Sequence, residues 1–263
     1  MNGRVAFITG GGSGIGRAVA LLSAERGARV AVVDLDRDRA EAVAGEAGGR
    51  GAPAVLGLGC DVAEEGELMQ ALERCERELG VADAVLANAG IEINAPAHEL
   101  ALEQWRQVIE VNLTGAFLTA RLAIAAMLRS ARPGAVVCTS SPAAFVGFAG
   151  GGNAAYAASK GGISALVRSL ALDYAAHGIR VNAVVPGATA TPLLLIGVSA
   201  EQREAAWAEL EQLAHEQVPQ QRMARPEEVA RAALWLLSEE ASYVTGSHLV
   251  CDGGLLAKSA NTF

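Results

Sequence analysis

The feature that most constrains this chain is its alternation of short apolar runs with longer stretches of helical periodicity. The short runs span residues 5–9, 29–34, 55–60, 84–88, 135–140, 180–185 and 247–251. Between them, apolar residues recur at three- and four-residue spacing over 17–26, 65–78, 102–128, 155–176 and 226–237. A strand that is apolar on both sides has no solvent-facing side, so it belongs in a parallel sheet covered by helices on both faces. The expected fold is therefore α/β, a Rossmann-type doubly wound parallel sheet of about seven strands. No linker, charge block or internal repeat divides the chain, and residues 1–263 read as one domain. One long irregular stretch, about 187–225, carries a helical piece near 201–216. Loops of that length are usually either functional or disordered.

Charge and composition exclude several partners. With 21 Lys and Arg against 29 Asp and Glu, the net charge of −8 repels phosphate backbones and anionic lipid, so nucleic acid is not expected. Two stretches lack charge, 133–159 and 181–200, but Pro133, Pro142, Asn153, Asn182, Pro186 and Pro192 would break or polarise a membrane helix. Residues 5–8 form too short an apolar run for a signal peptide. The four cysteines, Cys60, Cys75, Cys138 and Cys251, lie far apart with no histidine at ligand spacing. Neither a metal site nor a disulfide framework is expected, and a reducing cytoplasm is the simplest home.

After the first run comes Thr9-Gly10-Gly11-Gly12-Ser13-Gly14-Ile15-Gly16, followed by a helix. Glycines let backbone approach a pyrophosphate, whose charge is met by the N–H groups and dipole of a helix N-terminus. The alternative is a glycine-rich turn with no ligand. Eighteen residues past Gly16 the second run ends at Asp34, where a dinucleotide fold places the acid that accepts hydrogen bonds from the adenosine ribose. Asp34 would repel a 2′-phosphate, and Leu35 beside it supplies no cation, so NAD is the expected cofactor. A solvated strand-end aspartate in the charged run through Arg39 is the other reading. Asp61, with Val62 after the third run, either holds the adenine edge or sits in a plain turn.

Tyr156 and Lys160 stand four apart, on one helical face. A cation there favours the phenolate, making the tyrosine an acid/base near neutral pH. The chain has only two lysines, Lys160 and Lys258, and three tyrosines, so the pairing is improbable by accident. The small neighbours Ala157, Ala158, Ser159, Gly161 and Gly162 suit close approach better than an exposed ion-pair face.

Taken together, Thr9-Gly-x-x-x-Gly-x-Gly16, Asp61-Val62, Asn88-Ala89-Gly90, Asn112, Ser140-Ser141, Tyr156-x-x-x-Lys160, Pro186-Gly187, Thr191-Pro192 and Asp252-Gly253-Gly254 resemble the short-chain dehydrogenase/reductase family, in its compact single-domain branch. The resemblance covers essentially the whole chain and implies an NAD(P)-binding Rossmann domain, with 187–225 as the substrate loop. It implies a tetrad of Asn112, Ser141, Tyr156 and Lys160. Ser141 would hydrogen-bond the substrate oxygen, Tyr156 exchange its proton, and Lys160 hold the nicotinamide ribose, while Asn112 anchors a water that links Lys160 to solvent. Without the other motifs, Asn112 reads as a buried helix asparagine, and Ser140 competes with Ser141. Asn88 and the Ala89-Gly90 backbone would meet the adenosine ribose region, and Thr189 and Thr191 the carboxamide and pyrophosphate.

Two departures stand out: Ala87 precedes Asn88, and Ser141 precedes Tyr156 by 15 residues, more than the family commonly has, with the surplus at Gly150-Gly151-Gly152. The expected activity is NAD-dependent hydride transfer to or from a secondary alcohol or ketone carbon, without metal. The alternatives are an NADPH-dependent 3-oxoacyl-carrier ketoreductase and a non-catalytic NAD(H)-sensing protein. A neutral, largely apolar substrate follows from the pocket wall expected from Ala143, Ala144, Phe145, Asn153 and Leu193–Ile196, where Glu92, Asn94 and Asn153 either hold a second polar group or are ordinary rim residues. A homotetramer packed through 102–128 and 155–176 completes the expectation.

Overall fold

The computed structural model describes residues 1–148 and 150–258. Seven strands form one sheet in the order β3-β2-β1-β4-β5-β6-β7. They are β1 (Val5–Thr9), β2 (Arg29–Asp34), β3 (Val55–Gly59), β4 (Ala84–Ala87), β5 (Gly134–Thr139), β6 (Ile179–Pro186) and β7 (His248–Cys251). Every pairing is parallel. β1 and β4 are neighbours, so the connections leave β1 toward one edge and β4 toward the other. That reversal opens a crevice beyond the carboxyl ends of the two strands.

Helices cover both faces. On one lie α1 (Gly14–Glu25), α2 (Arg37–Gly49) and α8 (Pro226–Leu237), whose Val19, Leu21, Val43, Leu234 and Leu237 pack on Ala6, Ile8, Val30 and Val32. On the other lie α3 (Glu65–Glu78), α5 (Gly115–Arg129) and α6 (Ala154–Tyr174), whose Leu68, Ile124, Met127, Ile163 and Val167 pack on Phe7, Val33, Val85 and Val136. Alternate residues of each strand serve the two cores, which is why these strands are apolar throughout.

Two elements differ from the expectation. Helix α2 carries a charged run in which no apolar periodicity stands out; it buries only Ala40, Val43, Ala44 and Ala47, and Asp36 caps it by accepting from the Arg39 N–H at 3.1 Å. The predicted helix over 102–128 is α4 (Leu102–Ile109) joined to α5 by a π-helical turn, Glu110–Thr114. The wider turn shifts the helical register where Asn112 sits, and periodicity alone does not reveal it. In the irregular stretch, short 3₁₀ turns precede α7 (Arg203–Gln217), close to the expected helical piece.

Candidate active site

A cavity of about 1310 Å³ occupies the crevice at the carboxyl ends of the strands. Its floor is the turn from β1 into α1. A Cβ on Gly16 would lie 2.1 Å from the Gly10 carbonyl oxygen, so only glycine lets the turn close against its own helix. The Ser13 side chain makes no capping bond, and the first N–H groups of α1 have no partner within the helix. Gly10, Ser13, Gly14 and Ile15 line the cavity there. Gly12 and Gly16 do not; they set the shape of the turn. These orphan donors beside backbone that no side chain obstructs fit an anionic pyrophosphate.

Asp34 stands at the far end of the same cavity beside the exposed Leu35. Its carboxylate accepts from the Gly12 N–H at 2.9 Å and the Asp36 N–H at 3.1 Å, which leaves acceptor capacity on both oxygens. Arg39 also lines this end, carried there by α2 and paired with Asp36 at 3.0 Å. Asp61, Val62, Ala89 and Gly90 lie along the wall. Asp61 is also a turn residue, accepting from the Ala63 N–H at 2.9 Å. The Asn88 side chain ties three strand ends together: its amide donates to the Thr9 and Gly10 carbonyls, each at 3.3 Å, and its oxygen accepts from Thr139 at 3.1 Å. It lines the cavity as a brace of the glycine turn.

Tyr156 and Lys160 project from the start of α6, both buried, with the Lys160 ammonium 5.5 Å from the phenol ring centre. Lys160 donates to the Thr139 carbonyl at the end of β5 at 2.8 Å. Burial pulls its ammonium down to about 8. The same burial pushes the Tyr156 phenol up to about 12, with the Ser141 hydroxyl opposing and the charge of Glu92 adding. The sequence leads one to expect the lysine to lower the phenol; here burial is the largest influence and acts in the opposite direction.

The two serines divide. Ser141 lines the cavity together with Tyr156, where its hydroxyl favours the ionised phenol, and accepts from the Ala143 N–H at 3.2 Å. The Ser140 hydroxyl is engaged with Ser164 at 3.0 Å and the Lys160 carbonyl at 3.3 Å, clamping β5 to α6.

Asn112 does not line the cavity. Fully buried in the π-helical turn, its amide donates to the Ile91 carbonyl at 2.9 Å and to Ser159 at 3.1 Å, and its oxygen accepts from the Ile91 N–H at 2.8 Å. It holds the Gly90-Ile91 turn against α6, behind Lys160, and its side-chain bonds go to protein groups.

Pro186, Gly187, Thr189 and Thr191 close the opposite wall, with the Thr189 hydroxyl donating to the Gly187 carbonyl at 2.9 Å. Of the expected pocket wall, Leu193, Leu194 and Ile196 line the cavity, whereas Ala143, Ala144, Phe145, Asn153 and Leu195 do not. Phe145 packs edge-on against His248, ring centres 5.7 Å apart, and Val146, Phe148 and Gly150 take its place. Sequence reasoning missed Gln107, Leu210, Leu213, Leu255 and Lys258. Each arrives from a remote element, and no local spacing marks it. Among the described residues, no cluster of three or more His, Cys, Asp or Glu side chains could hold a metal ion.

A buried phenol and a serine hydroxyl share one cavity with a dinucleotide cradle, an arrangement suited to an oxidoreductase that uses a nicotinamide cofactor. A family profile described as enoyl-(acyl carrier protein) reductase matches residues 10–256. The chain is 44% identical over 258 residues to cis-4-hydroxycyclohexanecarboxylate dehydrogenase of Sinomonas cyclohexanicum, covering 97% of each protein. It is 39% identical over 258 residues to 2,5-dichloro-2,5-cyclohexadiene-1,4-diol dehydrogenase of Sphingobium indicum, covering 98% of each. A solved short-chain type dehydrogenase/reductase from Mycobacterium marinum superimposes with a TM-score of 0.90 at 35% identity, over 98% of this chain and 97% of that one. The chain belongs to the short-chain dehydrogenase/reductase family, and it is an enzyme acting on CH–OH groups.

Proposed function

We propose an NAD-dependent dehydrogenase of neutral, largely apolar secondary alcohols, carbocyclic ones foremost, working as a single dinucleotide-binding domain. The observation that carries the reading is one cavity holding both the Asp34 carboxylate and the Ser141–Tyr156–Lys160 cluster. A nicotinamide cofactor held along this cavity would supply the hydride acceptor or donor. Asp34 accepts hydrogen bonds from the adenosine ribose, and its charge disfavours a 2′-phosphate; Arg39, already paired with Asp36, offsets this only in part. The N-terminus of α1 would hold the pyrophosphate, and Thr189 and Thr191 would hold the carboxamide and pyrophosphate.

At the reacting carbon, the Ser141 hydroxyl and the Tyr156 phenol hold the substrate oxygen between them. In reduction the protonated phenol donates to that oxygen; in oxidation it takes the proton back. Lys160, anchored on Thr139, places a cation beside the phenol ring and favours its ionised form when the proton leaves. Leu193, Leu194, Ile196, Leu210 and Leu213 supply an apolar wall that suits a ring and excludes water. The two relatives named for ring-bearing alcohols support a carbocyclic substrate.

A homotetramer is part of the proposal: between α5 and α6, Leu113, Phe117, Gly162, Ala165 and Leu166 line an apolar groove suited to a second copy. A monomer mass by light scattering at micromolar concentration contradicts it. The defining assay is reduction of NAD⁺ and of NADP⁺ over cyclic secondary alcohols, hydroxy acids and 3-hydroxyacyl thioesters. Preference for NADP⁺ with thioesters replaces this reading by the carrier-linked ketoreductase. Cofactor binding without turnover replaces it by a sensor.

A further inference from the structure

The segment after Gly90 brings a carboxylate into the cavity. Glu92 lines it together with Asn94, Tyr156 and Ser141. The Asn94 side chain lies beside the Glu92 carboxylate on this wall, and the carboxylate is close enough to Tyr156 and Lys160 for its charge to act on both. No Arg, Lys or His forms an ion pair with Glu92 among the described residues. Burial raises its carboxyl above the ordinary range, which marks an incompletely compensated charge.

The glycine insert that lengthens the Ser141–Tyr156 spacing is part of the arrangement. The Ala95 N–H donates to the Gly152 carbonyl at 2.7 Å, clipping the segment that carries Glu92 to the loop before α6. An unpaired carboxylate only accepts hydrogen bonds, so what completes it must be a donor, and an anion placed there is repelled.

We propose that Glu92, beside Asn94 on the cavity wall, is a specificity-determining residue that accepts a hydrogen bond from a second hydroxyl on the substrate, so that the preferred substrates are cyclic diols and ring carboxylates are disfavoured. The inference rests on the alcohol-dehydrogenase reading of the same cavity. It selects which alcohols that site prefers.

The test is kcat/KM with NAD⁺ for cyclohexanol, for cis and trans isomers of the cyclohexanediols, and for 4-hydroxycyclohexanecarboxylate, in the native enzyme, Glu92→Gln and Glu92→Ala. The native enzyme should favour at least one diol over cyclohexanol. Glu92→Ala should lower that ratio by roughly tenfold or more, the range for losing a hydrogen bond to a charged group. Glu92→Gln, which keeps an acceptor oxygen and the shape, should retain part of the ratio while raising use of the carboxylate relative to cyclohexanol. General damage to the fold lowers all substrates together and leaves the ratios unchanged, so ratios within about twofold of native in both variants overturn the inference while leaving the dehydrogenase reading intact. A native preference for cyclohexanol over every diol also overturns it. Failure of the native enzyme to oxidise any member of the panel removes both readings at once.

Discussion

The amino and carboxyl ends of the sheet are made by the same strands, yet their polar groups are disposed in opposite ways. At the amino end Asp83, almost fully buried, accepts from the Val5 N–H at 3.0 Å, from Arg4 at 2.9 Å and from Arg132 at 2.8 Å. Arg180 donates there to the carbonyls of Leu236 at 2.7 Å and Ser238 at 2.8 Å, and Arg29 donates to those of Leu79 and Gly3. Each of these groups is matched within the chain. At the carboxyl end, the N-terminus of α1, Asp34, Ser141, Tyr156 and Glu92 face a shared cavity with capacity left over. One end stabilises the fold, and the other holds polar groups ready for a ligand.

Substitutions should separate the two ends cleanly. The largest effect is expected from Tyr156→Phe, which keeps the ring and removes the transferable proton. Turnover should fall by about 10²–10⁴-fold with NADH affinity and melting temperature near native; activity within threefold of native removes Tyr156 from the chemistry. Asp83→Ala acts at the other end, leaving Arg4 and Arg132 without their buried partner. It should cost about 3 kcal/mol, lowering the melting temperature by roughly 6–12 °C, while the specific activity of the folded fraction stays near native. A loss of activity in the folded fraction would show that the ends are coupled.

Asp34→Ala should narrow an NAD over NADP preference of at least about tenfold, or ~1.4 kcal/mol, with little change in melting temperature. Unchanged preference would assign cofactor choice to another residue, with Arg39 the first to examine. The smallest effect sharpens the boundary between the ends. Ser140→Ala, breaking the clamp to Ser164, should cost about 1 kcal/mol of stability and leave kcat within threefold, whereas Ser141→Ala should lower kcat with stability kept. Equal kinetic losses in both would undo the division of the serines.

The carboxyl end was largely legible in the sequence because its parts are local. Tyr156 and Lys160 share one turn of helix, the glycines crowd one strand–helix junction, and Asp34 closes a strand. The strands were legible for a related reason: burial on both faces leaves them apolar throughout. What escaped is what distant segments create. Helix α2 was invisible because alanines make its buried stripe, and with it went the arrival of Arg39 beside Asp34. The π-helical turn that turns Asn112 inward leaves no periodic trace, so its place behind the cavity emerged only from its bonds to Ile91 and Ser159. Phe145 was legible as an apolar neighbour of Ser141 but not as a partner of His248, which lies on the far edge strand. The wall formed by Leu210, Leu213 and Leu255 depends on how α7 and the turn after β7 lie over the crevice.

The most direct test of the central claim, that the cavity at the carboxyl end transfers hydride from a carbinol carbon while Tyr156 manages the proton, is a single-turnover experiment. Excess enzyme with NAD⁺ is mixed with a cyclic secondary alcohol deuterated at its carbinol carbon. The expected result is deuterium in the reduced nicotinamide and a slower rate than with the protiated alcohol; Tyr156→Phe should slow the signal by about 10²–10⁴-fold. Reduced cofactor without deuterium, or equally fast formation of it in the phenylalanine variant, would contradict the assignment.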